Sequence, residues 1–274
     1  MGPGLCQDGG GGRSLLSRAL GHSPGLIRIA AGITRRLLDI TLTPCCTACG
    51  QLLSGVPESG LSLCDACVTT VQRISHPLCP VCGNPCQAAG PHDVTCGDCS
   101  RSPPHFHRAR ASFAYAGAMV RLVMQLKYAR HFDQAPPLGR IMGAVAAVEE
   151  LDDVDLIVPV PLAVPRFVRR GYNQAALLGR ATASILGRPM KAGILRRVRD
   201  LGPQGRHGPR ERAARVRGCF SVIDEGMVQN RRVLLVDDVL TTGATASECA
   251  RVLTRAGAVR VDVMACARAI RDSG

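Results

Sequence analysis

From Leu26 to Leu42, the apolar residues Leu26, Ile29, Ala30, Ile33, Leu37 and Ile40 recur at helical spacing opposite Arg28, Arg35, Arg36 and Asp39. That spacing predicts a short amphipathic helix. Residues 44–100 contain few long apolar runs, so they cannot build a conventional core. After Pro103-Pro104 the rhythm changes again. Ala111–Ala116, Leu156–Val160, Cys219–Val222, Val233–Val236 and Val259–Ala265 read as strands, and Val120–Tyr128, Leu138–Glu150, Gln174–Leu186 and Ala246–Ala256 read as helices. Strand–helix alternation predicts an α/β domain with a mainly parallel sheet flanked by helices. Gly202 to Arg217, rich in Arg, Gly and Pro, interrupts the alternation as a long loop. The expected organisation is a tail and short helix over 1–43, a small module over 44–103 and an α/β domain over 104–270.

Cysteine explains how the middle stretch can fold. Ten of the fourteen cysteines fall within residues 44–100, in four C-x-x-C pairs: Cys46/Cys49, Cys64/Cys67, Cys79/Cys82 and Cys96/Cys99. Fourteen residues separate the first two pairs and thirteen the last two, and Gly50 and Gly83 follow the second cysteine in corresponding places. The segment is an internal duplication whose copies each offer four soft ligands at tetrahedral zinc spacing. Two structural Zn sites are the expectation, with the metal substituting for a core. Spacing alone leaves sequential and cross-braced pairing of the knuckles open. Cys45 and Cys86 read as spare thiols, and His76, His92, His105 and His107 as residues outside the ligand sets. Thiols rather than disulfides suit a chain with no secretion signal, and no uncharged apolar run reaches membrane-spanning length. The expectation is a soluble, cytoplasmic protein without a membrane span.

The net charge of +13 rests almost wholly on arginine, since Lys127 and Lys191 are the only lysines. Only six of the 34 basic residues precede residue 101, so the positive field belongs to the α/β part and suits an anionic ligand there. A GC-rich genome would produce the same preference for Arg over Lys. Aromatics make up 3% and Trp is absent, leaving few surfaces for base stacking. Asp8 to Ser14 is glycine-rich but lacks the Lys and the preceding strand of a phosphate loop, and reads as tail.

The segment with the most chemistry runs from Val233 to Thr245, Val-Leu-Leu-Val-Asp-Asp-Val-Leu-Thr-Thr-Gly-Ala-Thr. An apolar strand delivers Asp237 and Asp238 to its C-terminal end, where open α/β sheets place ligands. Thr241, Thr242, Gly243, Ala244 and Thr245 then lead into a helix that ends near Gly257. Unpaired amides at a helix start, hydroxyls and a glycine make an anion cradle. Carboxylates repel a phosphate but accept hydrogen bonds from sugar hydroxyls, directly or beside Mg²⁺. The string therefore fits a sugar carrying a phosphate at one end.

This string resembles the phosphoribosyl-diphosphate signature of type I phosphoribosyltransferases. With Leu126-Lys127-Tyr128, Ile157 to Pro161, Arg170-Gly171-Tyr172-Asn173-Gln174, Arg215 to Gly218 and the paired knuckles, the chain resembles the ComF family over about residues 37 to 268. The resemblance implies a type I phosphoribosyltransferase fold preceded by a small double zinc-ribbon module. It further implies a diphosphate-binding turn over Pro159 to Pro165, cationic contacts from Lys127, Arg169 and Arg170, and a closing loop containing Gln204 and Arg210 to Arg217. Ala214 departs from the family pattern, in which Asn is usual. The implied ligands are phosphoribosyl diphosphate and Mg²⁺, with Asp237 and Asp238 favouring positive character on the ribose carbon as diphosphate leaves. The acceptor and the oligomeric state, a homo-oligomer included, stay open. The rival expectation is a nucleic-acid or partner-binding protein that keeps this fold as a scaffold in DNA uptake.

Overall fold

The computed structural model describes residues 44–55, 60–86, 94–128, 132–199 and 214–271. The tail, the amphipathic helix expected over 26–42, His92 and most of the arginine-rich loop lie outside the described residues.

Four strands form the main sheet in the order β1-β6-β5-β2, every pair parallel. They are β1 (Arg108–Ala114), β2 (Leu156–Pro159), β5 (Arg232–Leu240) and β6 (Arg260–Arg268). The central pair, β5 and β6, is buried on both sides, which is why these strands read as near-continuous apolar runs. Alternation along β5 assigns each side chain to a face. Leu234 and Val236 share a core with α3 (Ala118–Tyr128), α4 (Ala135–Val148) and α6 (Gln174–Leu186). Val233 and Leu235 pack on the opposite face with α7 (Ala244–Arg255). Full burial of each such side chain stabilises by about 1.5–3 kcal/mol.

The alternating architecture is as the pattern predicted, and the differences have local causes. Helix α4 starts three residues earlier than its periodicity because Pro136 and Pro137 sit in the first turn, where no amide partner is lost. The Cys219–Val222 stretch does not enter the main sheet. Its β4 (Phe220–Val222) pairs antiparallel with β3 (Leu195–Arg197), a strand too short to show a period. Helix α5 (Val164–Arg170) was not legible either, since Val164, Phe167 and Val168 all face solvent. Its presence shortens the turn expected over Pro159 to Pro165 to residues 160–163.

The cysteine module splits over the two faces of the sheet. The first ribbon carries a helical turn, α1 (Asp65–Val68), and contributes Cys46, Leu61, Leu63 and Cys64 to the α3/α4 core. The second carries α2 (Gly97–Arg101), and its four cysteines share the core of the α7 face with Phe106 and Ala109. Among the described residues from Cys45 onward, ribbons and sheet form one compact unit. Among the described residues no helix is long and apolar enough to cross a membrane.

Candidate functional site

The eight predicted cysteine ligands assemble as Cys46, Cys49, Cys64 and Cys67 in one cluster and Cys79, Cys82, Cys96 and Cys99 in another. The knuckles therefore pair sequentially, which spacing could not decide. Within each cluster the Sγ atoms lie within 4.8 Å of one another, and Cys49–Cys64 and Cys82–Cys96 approach to 3.7 Å. Tetrahedral zinc with Zn–S of about 2.3 Å demands sulfur separations of about 3.8 Å, so both donor sets fit the ion. The turns are copies: Gly50 donates to the Cys46 carbonyl and Gly83 to that of Cys79. A Cβ on Gly83 would lie 2.5 Å from the Ala109 carbonyl oxygen, so this knuckle also requires glycine for its seat on β1. The Cys82 and Cys96 amides point at the Cys79 sulfur at 3.5 and 3.4 Å. Four protein thiolates close the coordination shell, which makes these structural sites. Neither Cys45 nor Cys86, nor any described histidine, joins a cluster.

The second predicted site forms where β2 stops. Strand β5 pairs with β2 only as far as Val236 and continues beside β6 to Leu240, so Asp237 and Asp238 emerge past the end of β2. They lie within the strand, not after it, and alternation sends them to opposite faces. Asp238 is buried, with Lys127 Nζ 3.2 Å from Oδ1 and Gln174 Nε2 donating to Oδ2 at 2.5 Å. Asp237 accepts the Asp238 amide at 2.8 Å on Oδ1, and its other oxygen takes no hydrogen bond among the described residues. Its electrostatic neighbours include Arg197 at the end of β3 and buried Cys249 on α7. Burial, and then the adjacent Asp238 charge, push the Asp237 carboxyl up to about 7. Burial opposes the charge on Lys127, but the two aspartates outweigh it and raise the ammonium above its ordinary value.

The cradle follows at once. Gly243 caps α7 at φ +79°, a left-handed conformation that selects glycine. The Ser247 amide already bonds the Gly243 carbonyl, whereas those of Ala244, Thr245 and Ala246 precede the intrahelical ladder. The Thr242 hydroxyl lies 3.4 Å from the Ala244 amide, Thr241 is exposed, and Ala244 and Thr245 are half-buried.

The motif Arg170 to Gln174 is tied to this centre by Gln174, the first residue of α6. Arg170 donates to Gln174 Oε1, while Asn173 caps α6 through the Ala175 amide and holds the Val160 carbonyl after Pro159 at 3.0 Å. Lys127, Arg170 and Asp238 thus come together. Arg169 is exposed and makes no hydrogen bond or ion pair among the described residues. Glu248 was not anticipated. It is buried, receives the Gly218 amide at 2.7 Å and both arms of Arg251, and so ties the segment around Ala214 to α7. Its only local signal is an acid amid the apolar positions of a helix. A cleft of about 760 Å³ opens off the cradle between α7 and the second ribbon. Arg101, Arg217, Arg251, Arg255 and Arg271 line it against Asp98 and Glu248.

These features define a class, a double zinc-ribbon protein whose parallel α/β domain carries a carboxylate pair followed by a glycine-capped helix start. Residues 37–100 match the double zinc ribbon domain model. Over 236 residues the chain is 34% identical to DNA utilization protein YhgH of Salmonella typhi, covering 84% of this chain and all of the relative. Competence protein F of Haemophilus influenzae is 30% identical, with 76% and 90% covered. Competence protein ComFC of Bacillus subtilis is 25% identical, with 71% and 79% covered. The chain belongs to the ComF family. Among solved structures, glutamine phosphoribosylpyrophosphate amidotransferase of B. subtilis is similar at 23% identity and TM-score 0.36, over 52% of this chain and 30% of that one. Purine phosphoribosyltransferase of Pyrococcus horikoshii is similar at 20% identity and TM-score 0.28, over 45% and 68%.

Proposed function

We propose that this protein binds phosphoribosyl diphosphate and transfers its 5-phosphoribosyl group to an acceptor with release of diphosphate. The observation that carries this reading is the junction at the end of β5, where two carboxylates run directly into a hydroxyl- and amide-lined helix start. Thr241 to Thr245 would hold the 5-phosphate. Asp237 would accept ribose hydroxyls on its open oxygen, and Asp238 would join once Lys127 or Gln174 yields an oxygen to the sugar. Negative charge on both sides of the ribose favours positive character at its anomeric carbon as the bond to diphosphate loosens. Lys127, Arg170 and the amides after Pro159 would face the leaving diphosphate, with Arg169 within reach at the end of α5. Mg²⁺ would shield the diphosphate charge, and Asp237 is the carboxylate with an oxygen to offer it. The zinc ribbons would support this site from the two faces of the sheet.

Calorimetry with Mg²⁺ and phosphoribosyl diphosphate tests the reading. Wild type should bind, and the Asp237→Asn, Asp238→Asn double variant should lose at least a hundredfold in affinity; equal affinity would defeat the assignment. Turnover is read as diphosphate release across candidate acceptors.

One observation favours a second reading, a nucleic-acid-binding role in DNA uptake. The arginine-lined cleft beside the second ribbon carries more positive than negative groups, and the names of relatives refer to DNA utilization and competence. Phosphates tracked by Arg would give DNA affinity that falls steeply with salt, and Arg217→Ala with Arg255→Ala would flatten that slope.

A further inference from the structure

The chain has three Tyr, five Phe and no Trp, and this scarcity argues against stacking surfaces at first sight. The fold changes that argument by gathering aromatics around the end of α3. Tyr172 donates its hydroxyl to the Leu126 carbonyl at 2.6 Å and meets Phe132 edge-on, with ring centroids 4.6 Å apart. Tyr128 ends α3 directly after Lys127 and is 61% exposed. The Arg170 guanidinium lies over its ring, 5.1 Å from the centroid, and the side chain nevertheless stays largely exposed.

An exposed tyrosine on a last helical turn needs no explanation by itself. This ring, however, is tied to the carboxylate centre through its neighbours. Lys127 before it is paired with Asp238, and Arg170 behind it reaches the same carboxylate through Gln174. A largely exposed ring that is already engaged by a cation is a preorganised platform for a planar ligand. Phe132, packed on Tyr172, is 43% exposed.

We propose that Tyr128, backed by Arg170, is a stacking site for a planar heteroaromatic ring of the nucleobase class. Its place beside the sugar-phosphate centre rests on the reading above and makes such a ring the acceptor, or the base next to the bound sugar. The stacking itself is measurable without that reading.

The test is a fluorescence titration of the full-length protein with 2-aminopurine, whose emission is quenched on stacking, with and without phosphoribosyl diphosphate. Tyr128→Ala should weaken binding about tenfold, the scale of one base–aromatic stack. Tyr128→Phe should retain wild-type affinity. Calorimetric affinity for phosphoribosyl diphosphate should be unchanged in both variants, and circular dichroism should confirm that each folds. Equal affinity of Tyr128→Ala and wild type, or no quenching by wild type, overturns the proposal. Tyr128-dependent quenching without phosphoribosyl-diphosphate binding would uphold the platform and remove the sugar-phosphate reading. Sugar-phosphate binding without quenching would do the reverse.

Discussion

The two zinc ribbons are the same device in different surroundings. Both place a C-x-x-C knuckle on a glycine turn and close it with a second pair at the start of a helical turn. In the first ribbon Cys49 is exposed and Cys67 half-buried, and the cluster leans on α3 and α4. Its links lie nearer the surface: exposed Arg121 reaches the Ala48 carbonyl at 3.1 Å, and the Thr70 hydroxyl receives the Ala118 amide at the start of α3. In the second ribbon all four cysteines are buried. There Arg268, at the end of β6 and 1% exposed, donates to the Cys82 carbonyl at 2.7 Å, to its sulfur at 3.4 Å and to Asn84 at 3.3 Å. Zn²⁺ with four thiolates carries two net negative charges, and a buried guanidinium offsets part of that field. Ligand count thus sets what a ribbon can bind, whereas burial and neighbouring charge set how firmly the site is built into the fold.

The largest expected effect comes from removing that cation. Arg268→Leu removes the guanidinium donor from the Cys82 carbonyl and the counterion from the zinc charge, at a cost of about 3–5 kcal/mol. Native mass spectrometry should then find one zinc per chain instead of two, with a large fall in melting temperature. Two zincs and an unchanged melting temperature would erase the contrast between ribbons.

A smaller effect sharpens the contrast without mutation. A chelator should draw out zinc in two phases, and thiol alkylation followed by peptide mass analysis should label Cys49 and Cys67 before Cys82 and Cys96. The reverse order would mean that burial does not govern release.

The smallest effect belongs to a second pair of look-alikes, Asp237 and Asp238. With the Asp237 carboxyl at about 7 in the fold against 3.8 ordinarily, the folded protein resists its ionisation. Its contribution to stability is full below pH 4 and is lost as pH rises through 7. Melting temperature should therefore fall between pH 5 and pH 8, and Asp237→Asn should reduce that slope while weakening ligand binding. Asp238→Asn should lower stability instead, because it breaks contacts with Lys127 and Gln174. A variant at 237 with the wild-type slope would move the titrating group elsewhere.

The same division separates what could be read from the chain from what could not. The cysteine ligands, the strand with its two carboxylates, the glycine-capped helix start and the strand–helix alternation are local or periodic, and local chemistry is written in consecutive residues. Glu248, Arg268 and the platform at Tyr128 escaped notice because each acts across long sequence separations. Arg268 had one faint signal, a cation closing the apolar run from Val263 to Ala267.

The amino-acid order by itself determined the two sets of four thiols, the parallel α/β framework and the glycine turn after β5, since spacing and periodicity constrain those without reference to distant residues. Only the tertiary structure decided that the knuckles pair sequentially, that the ribbons occupy opposite faces, that neighbouring aspartates meet different partners and that scarce aromatics converge. The physical reason is that burial and charge compensation depend on which remote side chains the packing brings together.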